Sequence, residues 1–262
     1  MEGSRLVTLL SDFGLKDPYV GVMKGAIANI NPELNVIDIT HDLPSQNLIA
    51  AQFALGNAYP YFPDGTVHVA VVDPGVGTQR RAIALQFPRG YLVGPDNGIF
   101  NCIVAQSPTI AAVELTNPRY WRSPNLSTTF HGRDIFAPIG AHLASGIPLD
   151  ELGDPIDPET LVSLPIPSYT KREKYLEGTI QYIDRFGNLI TTIPGSEVTG
   201  KQWSVRLDGR AIAVGSTYND TNPGEAIALV ASHGWVELAV NCGSAERELN
   251  LTWGDPIQLA IE

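Results

Sequence analysis

Val71-Val72-Asp73-Pro74-Gly75-Val76-Gly77-Thr78-Gln79-Arg80-Arg81 decides how this chain is read. It starts as the end of an apolar β run, 66–72. It then breaks into a Pro/Gly loop with an acid at one end and two arginines at the other. In alternating α/β proteins, ligands sit where strands end and loops begin. An Asp delivered at a strand's C-terminal end, with glycines at the bend behind it, can approach a ligand closely. An Arg further along the loop can fold back as its electrostatic partner. A surface turn with a solvated ion pair is the plain alternative for this stretch alone.

That alternative weakens because segments of the same character recur. They are Leu10-Ser11-Asp12-Phe13-Gly14, Thr129-Phe130-His131-Gly132-Arg133-Asp134 and Asp184-Arg185-Phe186-Gly187-Asn188. Each packs an aromatic residue, a glycine and a titratable group into a few positions. The first and last directly follow strong β runs, 5–10 and 179–183. A site assembled from loop ends is the expectation.

Outward from these segments, the first half alternates. Strand-like runs fall at 5–10, 35–39, 66–72, 82–87, 91–94 and 111–115. Helix-like segments fall at 19–31, 47–58, 97–105 and 133–144. This pattern implies βαβ units and a largely parallel sheet. Near Pro165-Ile166-Pro167 the chain turns Pro-rich, then charged, and helical periodicity stops. Short β runs follow at 175–183, 189–193, 204–207, 211–214, 226–230, 236–240 and 257–261. Turn signals such as Asp208-Gly209 and Asn222-Pro223-Gly224 separate them, which suggests a small β-barrel or sandwich. The expected organisation is an α/β domain over 1–165, a linker over 166–174 and an all-β domain over 175–262.

The chain has 262 residues and a net charge of −11, with no block of like charges. Nucleic acid or an anionic membrane as main partner is disfavoured, because both need a basic face. No apolar stretch approaches the roughly 20 residues that span a bilayer. Met1-Glu2-Gly3-Ser4-Arg5 runs straight into a strand-like segment and does not read as a signal peptide. Cys102 and Cys242 lie far apart without metal-ligand spacing and read as reduced thiols of a cytoplasmic protein.

Several chemistries can be weighed from residue types alone. No G-x-G-x-x-G or Walker sequence is present. Asp12 after the first strand could accept both hydroxyls of a ribose or serve as a turn former before the first helix. The histidines, His41, His68, His131, His142 and His233, include no H-x-x-x-H pair. Asp38, His41 and Asp42 fit no trusted metal spacing, so no metal is expected. No G-x-S-x-G elbow occurs, and Ser11, Ser127 and Ser232 lack an obvious neighbouring base. Activation of a small nucleophile fits better. Asp73, Arg80 and His131 supply an acid, a fixed cation and a group that titrates near neutrality. His142, inside a helical pattern, reads as structural.

Together these segments resemble the S-adenosylmethionine (SAM) hydrolase family, also called SAM hydroxide adenosyltransferases, which is related to the fluorinase and chlorinase. The resemblance runs through His41-Asp42-Leu43-Pro44, Gly94-Pro95-Asp96-Asn97-Gly98, Ser232-His233-Gly234 and Ala239-Val240-Asn241 as well as the segments quoted above. It covers essentially the whole chain. It implies a Rossmann-like N-terminal domain and a barrel-like C-terminal domain. It also implies a homotrimer whose active sites are shared between neighbouring subunits. The implied reaction is SAM plus water giving adenosine and L-methionine, without a cofactor. Asp73, Arg80 and His131 would hold and polarise water or hydroxide, and which of Asp73 and His131 takes the proton stays open. Asp12 would hold the ribose diol. Asp184 and Ser232 would hold the methionine amino and carboxylate groups, with Asp17 near the same end. Asn188 would read adenine, and Phe186 would form an apolar wall. Phe130 and His233 complete the expected substrate-binding set. Where the fluorinase carries a Tyr, this chain has Asp73; where it carries a halide-holding Ser, this chain has Gly132. Gln46 and His233 replace a Trp and an Arg of the fluorinase. A halide adenosyltransferase and a non-catalytic SAM or adenosine sensor are the rival readings.

Overall fold

A computed structural model describes residues 5–207 and 210–261. The Met1-Glu2-Gly3-Ser4 start and the Asp208-Gly209 turn lie outside the described residues. The chain divides into two compact units, Met1–Pro165 and Ile166–Glu262.

The first unit is built on seven strands: β1 (Leu6–Ser11), β2 (Asn35–Thr40), β3 (Thr66–Val71), β4 (Ala82–Phe87), β5 (Gly90–Pro95), β6 (Ala111–Glu114) and β7 (Asp154–Pro155). Their order in the sheet is β2-β1-β3-β5-β4-β6-β7. β1 runs parallel to β2 and β3, and β3 parallel to β5. The remaining pairs are antiparallel. The sheet is therefore less parallel than the alternation predicts. Only Pro88-Arg89 joins β4 to β5, whereas a parallel crossover needs on the order of a dozen residues. A hairpin is the sole connection available.

Helices cover both faces. Val7 and Leu9 of β1 and Val67, Val69 and Val71 of β3 project alternately onto one face. There they meet Met23 and Ile27 of α1 (Tyr19–Ile30) and Ile139 and Leu143 of α4 (Ala137–Ala144). α2 (Leu48–Ala58) packs on β1 and β2 through residues outside that cluster. Asn47 caps it by accepting from Ala50 N. The expected helix at 97–105 shrinks to α3 (Asn101–Val104). Asn97 instead donates to the Val72 carbonyl and accepts from Ile99 N, and Gly98 takes a positive φ.

The expected helix at 133–144 starts as a π-helical turn, Gly132–Phe136, before α4. Pro138 explains it: an α-helix would need its N–H to bond the Asp134 carbonyl, and proline has none. That carbonyl accepts from Arg122 N instead.

The second unit is a closed barrel. β9 (Tyr175–Ile183), β10 (Leu189–Pro194), β11 (Trp203–Leu207), β12 (Arg210–Val214), β13 (Ala226–Val230), β14 (Trp235–Val240) and β15 (Pro256–Ile261) follow the order β10-β14-β13-β12-β11-β15-β9, and β9 pairs back to β10. Closure removes exposed edges. β8 (Thr170–Lys171) adds to β9 from within the stretch read as linker. Leu176, Ile180, Leu189, Ile193, Val205, Leu238 and Leu259 fill the interior. A short helix, α5 (Ala245–Leu249), is added beyond the all-β expectation; Ser244 caps its start, and Asn250 in the left-handed region ends it. Among the described residues, no helix is long and apolar enough to cross a membrane.

Candidate active site

β1 lies between β2 and β3, so the connections leaving β1 and entering β3 pass to opposite sides of it. This is a topological switch point, where open α/β sheets bind ligands beyond the strands' carboxyl ends. Ser11 pairs in register with Val71. Asp12 and Asp73 therefore leave neighbouring parallel strands at the same edge.

Asp73 is held by Arg80. Arg80 Nε donates to Asp73 Oδ1 at 2.9 Å and to Oδ2 at 3.1 Å, and its Nη2 also grips Oδ2. The two side chains keep only 6 % and 10 % of their surface. The guanidinium also lies over the Phe136 ring, 5.1 Å from its centre. The same Nη2 reaches His131 Nδ1 at 3.0 Å. A guanidinium only donates, so Nδ1 accepts and the imidazole is neutral with its proton on Nε2. Burial lowers the His131 pKa and the Arg80 charge lowers it further, against an opposite pull from Asp73 and Asp134. The three residues expected to act on water thus form one contiguous group.

The loop carrying His131 is anchored from below. Asp134 is fully buried and accepts from Arg122, Arg133 and Ser127 N. Burial alone would raise its pKa, but these donors outweigh that and hold it well below the usual carboxylate range. Phe130 meets Phe13 and Tyr19 edge-on, with ring centres 5.9 and 5.4 Å apart. This aromatic set joins the His131 loop to the Asp12 loop. A Cβ on Gly132 would come within 3.2–3.4 Å of Met23 Sδ and the Phe130 and Phe13 rings. Asp12 accepts from Gln46 N at 2.8 Å, while Asp17 is exposed on the bend before α1.

One expectation fails here. Ser11 does have a neighbouring base: its Oγ lies 2.6 Å from His41 Nδ1. Ser11 is fully buried, however, and presents no nucleophile to solvent. The signal was readable in principle, since Ser11 ends the first strand and His41 follows the second, and βαβ logic makes those strands neighbours.

In the barrel, Asp184 closes the β9–β10 turn. Its Oδ1 accepts from Phe186 N and Asn188 N, and its Oδ2 from Asn188 Nδ2, each at 2.9 Å. Phe186 is 75 % exposed and stands clear of the turn. Ser232 and His233 lie in the β13–β14 turn, at the other end of the β10–β14 ladder. His233 accepts from Trp235 N at Nδ1, and its Nε2 faces the buried Glu237 at 3.3 Å. Tyr218 donates to the same carboxylate at 2.9 Å. Burial, the Glu237 bond and the charges of Glu237 and Asp184 push its pKa up to about 12. Tyr218 and Glu237 thus brace the His233 turn, a connection sequence reasoning missed.

The chain is thus a two-unit protein: an α/β unit with acids beyond the strand ends at its switch point, followed by a closed barrel with polar turns. The chain belongs to the SAM hydroxide adenosyltransferase family. Residues 7–153 match the family's N-terminal domain and residues 178–258 its C-terminal domain. It is 44% identical over 261 residues to an (R)-S-adenosyl-L-methionine hydrolase of Thermus thermophilus, covering 97% of this chain and 99% of the relative. A fluorinase of Actinoplanes sp. is 27% identical over 288 residues, covering 96% of each chain. The crystal structure of an uncharacterized conserved protein from Thermotoga maritima superposes with a TM-score of 0.90 at 36% identity, covering 97% of this chain and 99% of that one.

Proposed function

We propose that this protein hydrolyses S-adenosyl-L-methionine to adenosine and L-methionine by in-line attack of water at C5′. The observation that carries the reading is Arg80 joining Asp73 and His131 into one group at the switch point. A sulfonium leaves as a neutral thioether, so no acid is needed on that side. The demand falls on a held, proton-losing water and a dry pocket. Asp73 oxygens accept while His131 Nε2–H donates, and a water molecule fits both demands. With His131 Nδ1 taken by Arg80, Asp73 is the acceptor available for the water proton, and Arg80 favours the hydroxide that forms.

Substrate recognition is assigned to Asp12 for the ribose diol and to Asp184, Asn188, Phe186, Ser232 and His233 for the adenine and methionine ends. Phe130 and Asp17 lie on the loops around the Asp12 side. Because these residues divide between the two units, we extend to this chain the homotrimer and shared sites implied by its family resemblance. The relative's name specifies (R)-S-adenosyl-L-methionine, and the same form is taken as the substrate of this chain. The unpaired Cys102 and Cys242 support a reducing, cytoplasmic setting.

A halide adenosyltransferase is the weaker reading. A halide has no proton to give Asp73, and a side chain at Gly132 to hold it would press on Phe13 and Phe130. Incubating the purified protein with SAM and separating the products tests the proposal. Adenosine and methionine in equal amounts are expected; SAM left unchanged would favour a sensor.

A further inference from the structure

We propose that His41 is a positioning residue for ribose recognition, acting through Ser11 and the backbone of residues 41–46 to fix the Asp12 carboxylate. The proposal rests on the reading of Asp12 given above and extends it to a residue outside the ligand's reach.

Leu10 pairs with Thr40, so the residues that follow, Ser11 and His41, leave adjacent parallel strands side by side. His41 then holds the Asp12 loop twice. Its Nδ1 lies 2.6 Å from Ser11 Oγ, and its carbonyl accepts from Gly14 N at 2.8 Å. Ser11 Oγ also accepts from Phe13 N at 3.3 Å. The loop from Ser11 to Gly14 is thus tied down on both sides of Asp12. A few residues beyond His41, Gln46 N donates to Asp12 Oδ2 at 2.8 Å, with Gln46 in the left-handed region at φ 62°. That bond takes one carboxylate oxygen and leaves Oδ1 to be aimed by the loop.

The imidazole is itself held. Its side chain keeps 1 % of its surface, and Nε2 lies 3.2 Å from Asp38 Oδ1. The contact is off the N–H line, so it acts as an ion–dipole attraction and not as a full hydrogen bond. With Nε2 beside a carboxylate, the proton belongs on Nε2, and Ser11 donates to Nδ1. Lys24 Nζ, 2.6 Å from Asp38 Oδ2, steadies the acid from α1. Lys24, Asp38, His41 and Ser11 therefore form a line from the surface to the Asp12 loop. The line resembles a nucleophile triad in composition. Its serine is fully buried and already receives a backbone N–H, so its product is geometry and not covalent chemistry.

Titration calorimetry with adenosine and with 2′,3′-dideoxyadenosine tests this. The wild-type protein should prefer adenosine by tenfold or more, and Asp12→Ala should abolish the preference. His41→Leu and Ser11→Ala should each reduce it to within about threefold, the scale of one lost hydrogen bond. His41→Asn, which keeps an acceptor near the Nδ1 position, should retain most of it. Thermal melts identify any variant that fails to fold; should His41→Leu be one, Ser11→Ala carries the test. Equal weakening of both ligands, with the preference intact in His41→Leu and Ser11→Ala but lost in Asp12→Ala, would overturn the positioning role and leave the ribose reading standing. A preference intact in Asp12→Ala would overturn the ribose reading itself, and the relay with it.

Discussion

Gly77 is seated against the backbone of Thr128. Its φ is +75°, and a Cβ there would run into the Thr128 carbonyl oxygen. The contact joins the loop that carries Arg80 to the loop that carries His131, and so sets how far apart they stand. Gly77→Ala should push the loops apart and lower kcat on the order of 100-fold, because catalytic groups misplaced by about 1 Å lose that much. Steady-state kinetics checks it, and an unchanged kcat would remove the loop contact from the account.

Asp73→Ala, Arg80→Ala and His131→Ala should each lower kcat far more than they raise KM, since their assigned partner is water. The losses should be non-additive in double variants. Arg80→Lys should not restore activity, because one ammonium cannot bind both carboxylate oxygens and His131 Nδ1 at once. Full activity in His131→Ala would make that histidine structural.

These three residues were not equally legible. Asp73 and Arg80 share one loop, and the spacing already suggested a pair. His131 is 51 positions from Arg80; its residue type and the family resemblance placed it with them, but no local spacing did. Ser11 and His41 were missed for a related reason: the two are neighbours through strand register, which a linear search for a base does not follow. The barrel was readable from its turns, but α5 is too short to show helical periodicity. The π-turn before α4 was signalled by Pro138, yet an apolar pattern there fits an ordinary helix equally well. Tyr218 and Glu237 carry no local motif; only the barrel brings them together beside His233.

His68 should contribute to the loss of stability of the first unit between pH 7 and pH 5. Burial, with some help from Arg89, lowers its pKa from 6.5 to about 4. Its folded-state pKa lies below the unfolded one, so the unfolded chain binds more protons between these values. The stability is present above pH 6.5 and is lost as pH falls toward 4, amounting to about 2 kcal/mol by pH 5. His68→Gln should shrink the difference in urea unfolding free energy between pH 7 and pH 5 by that order. An unchanged difference would assign the acid loss to other groups.

Asp12 lies in the first unit and Asn188 in the second. If subunits share sites, Asp12→Ala and Asn188→Ala chains should each be weak alone, and mixed trimers should recover part of the activity. Sedimentation at assay concentration should give a trimer. A fully active monomer would contradict the shared site and leave the reaction untouched.

Attack by water at C5′ leaves a mark on one product alone. Turnover of SAM in oxygen-18 water, followed by mass spectrometry of both products, reads it. One label is expected in the adenosine 5′-hydroxyl and none in methionine. Adenosine that carries no label would contradict that attack.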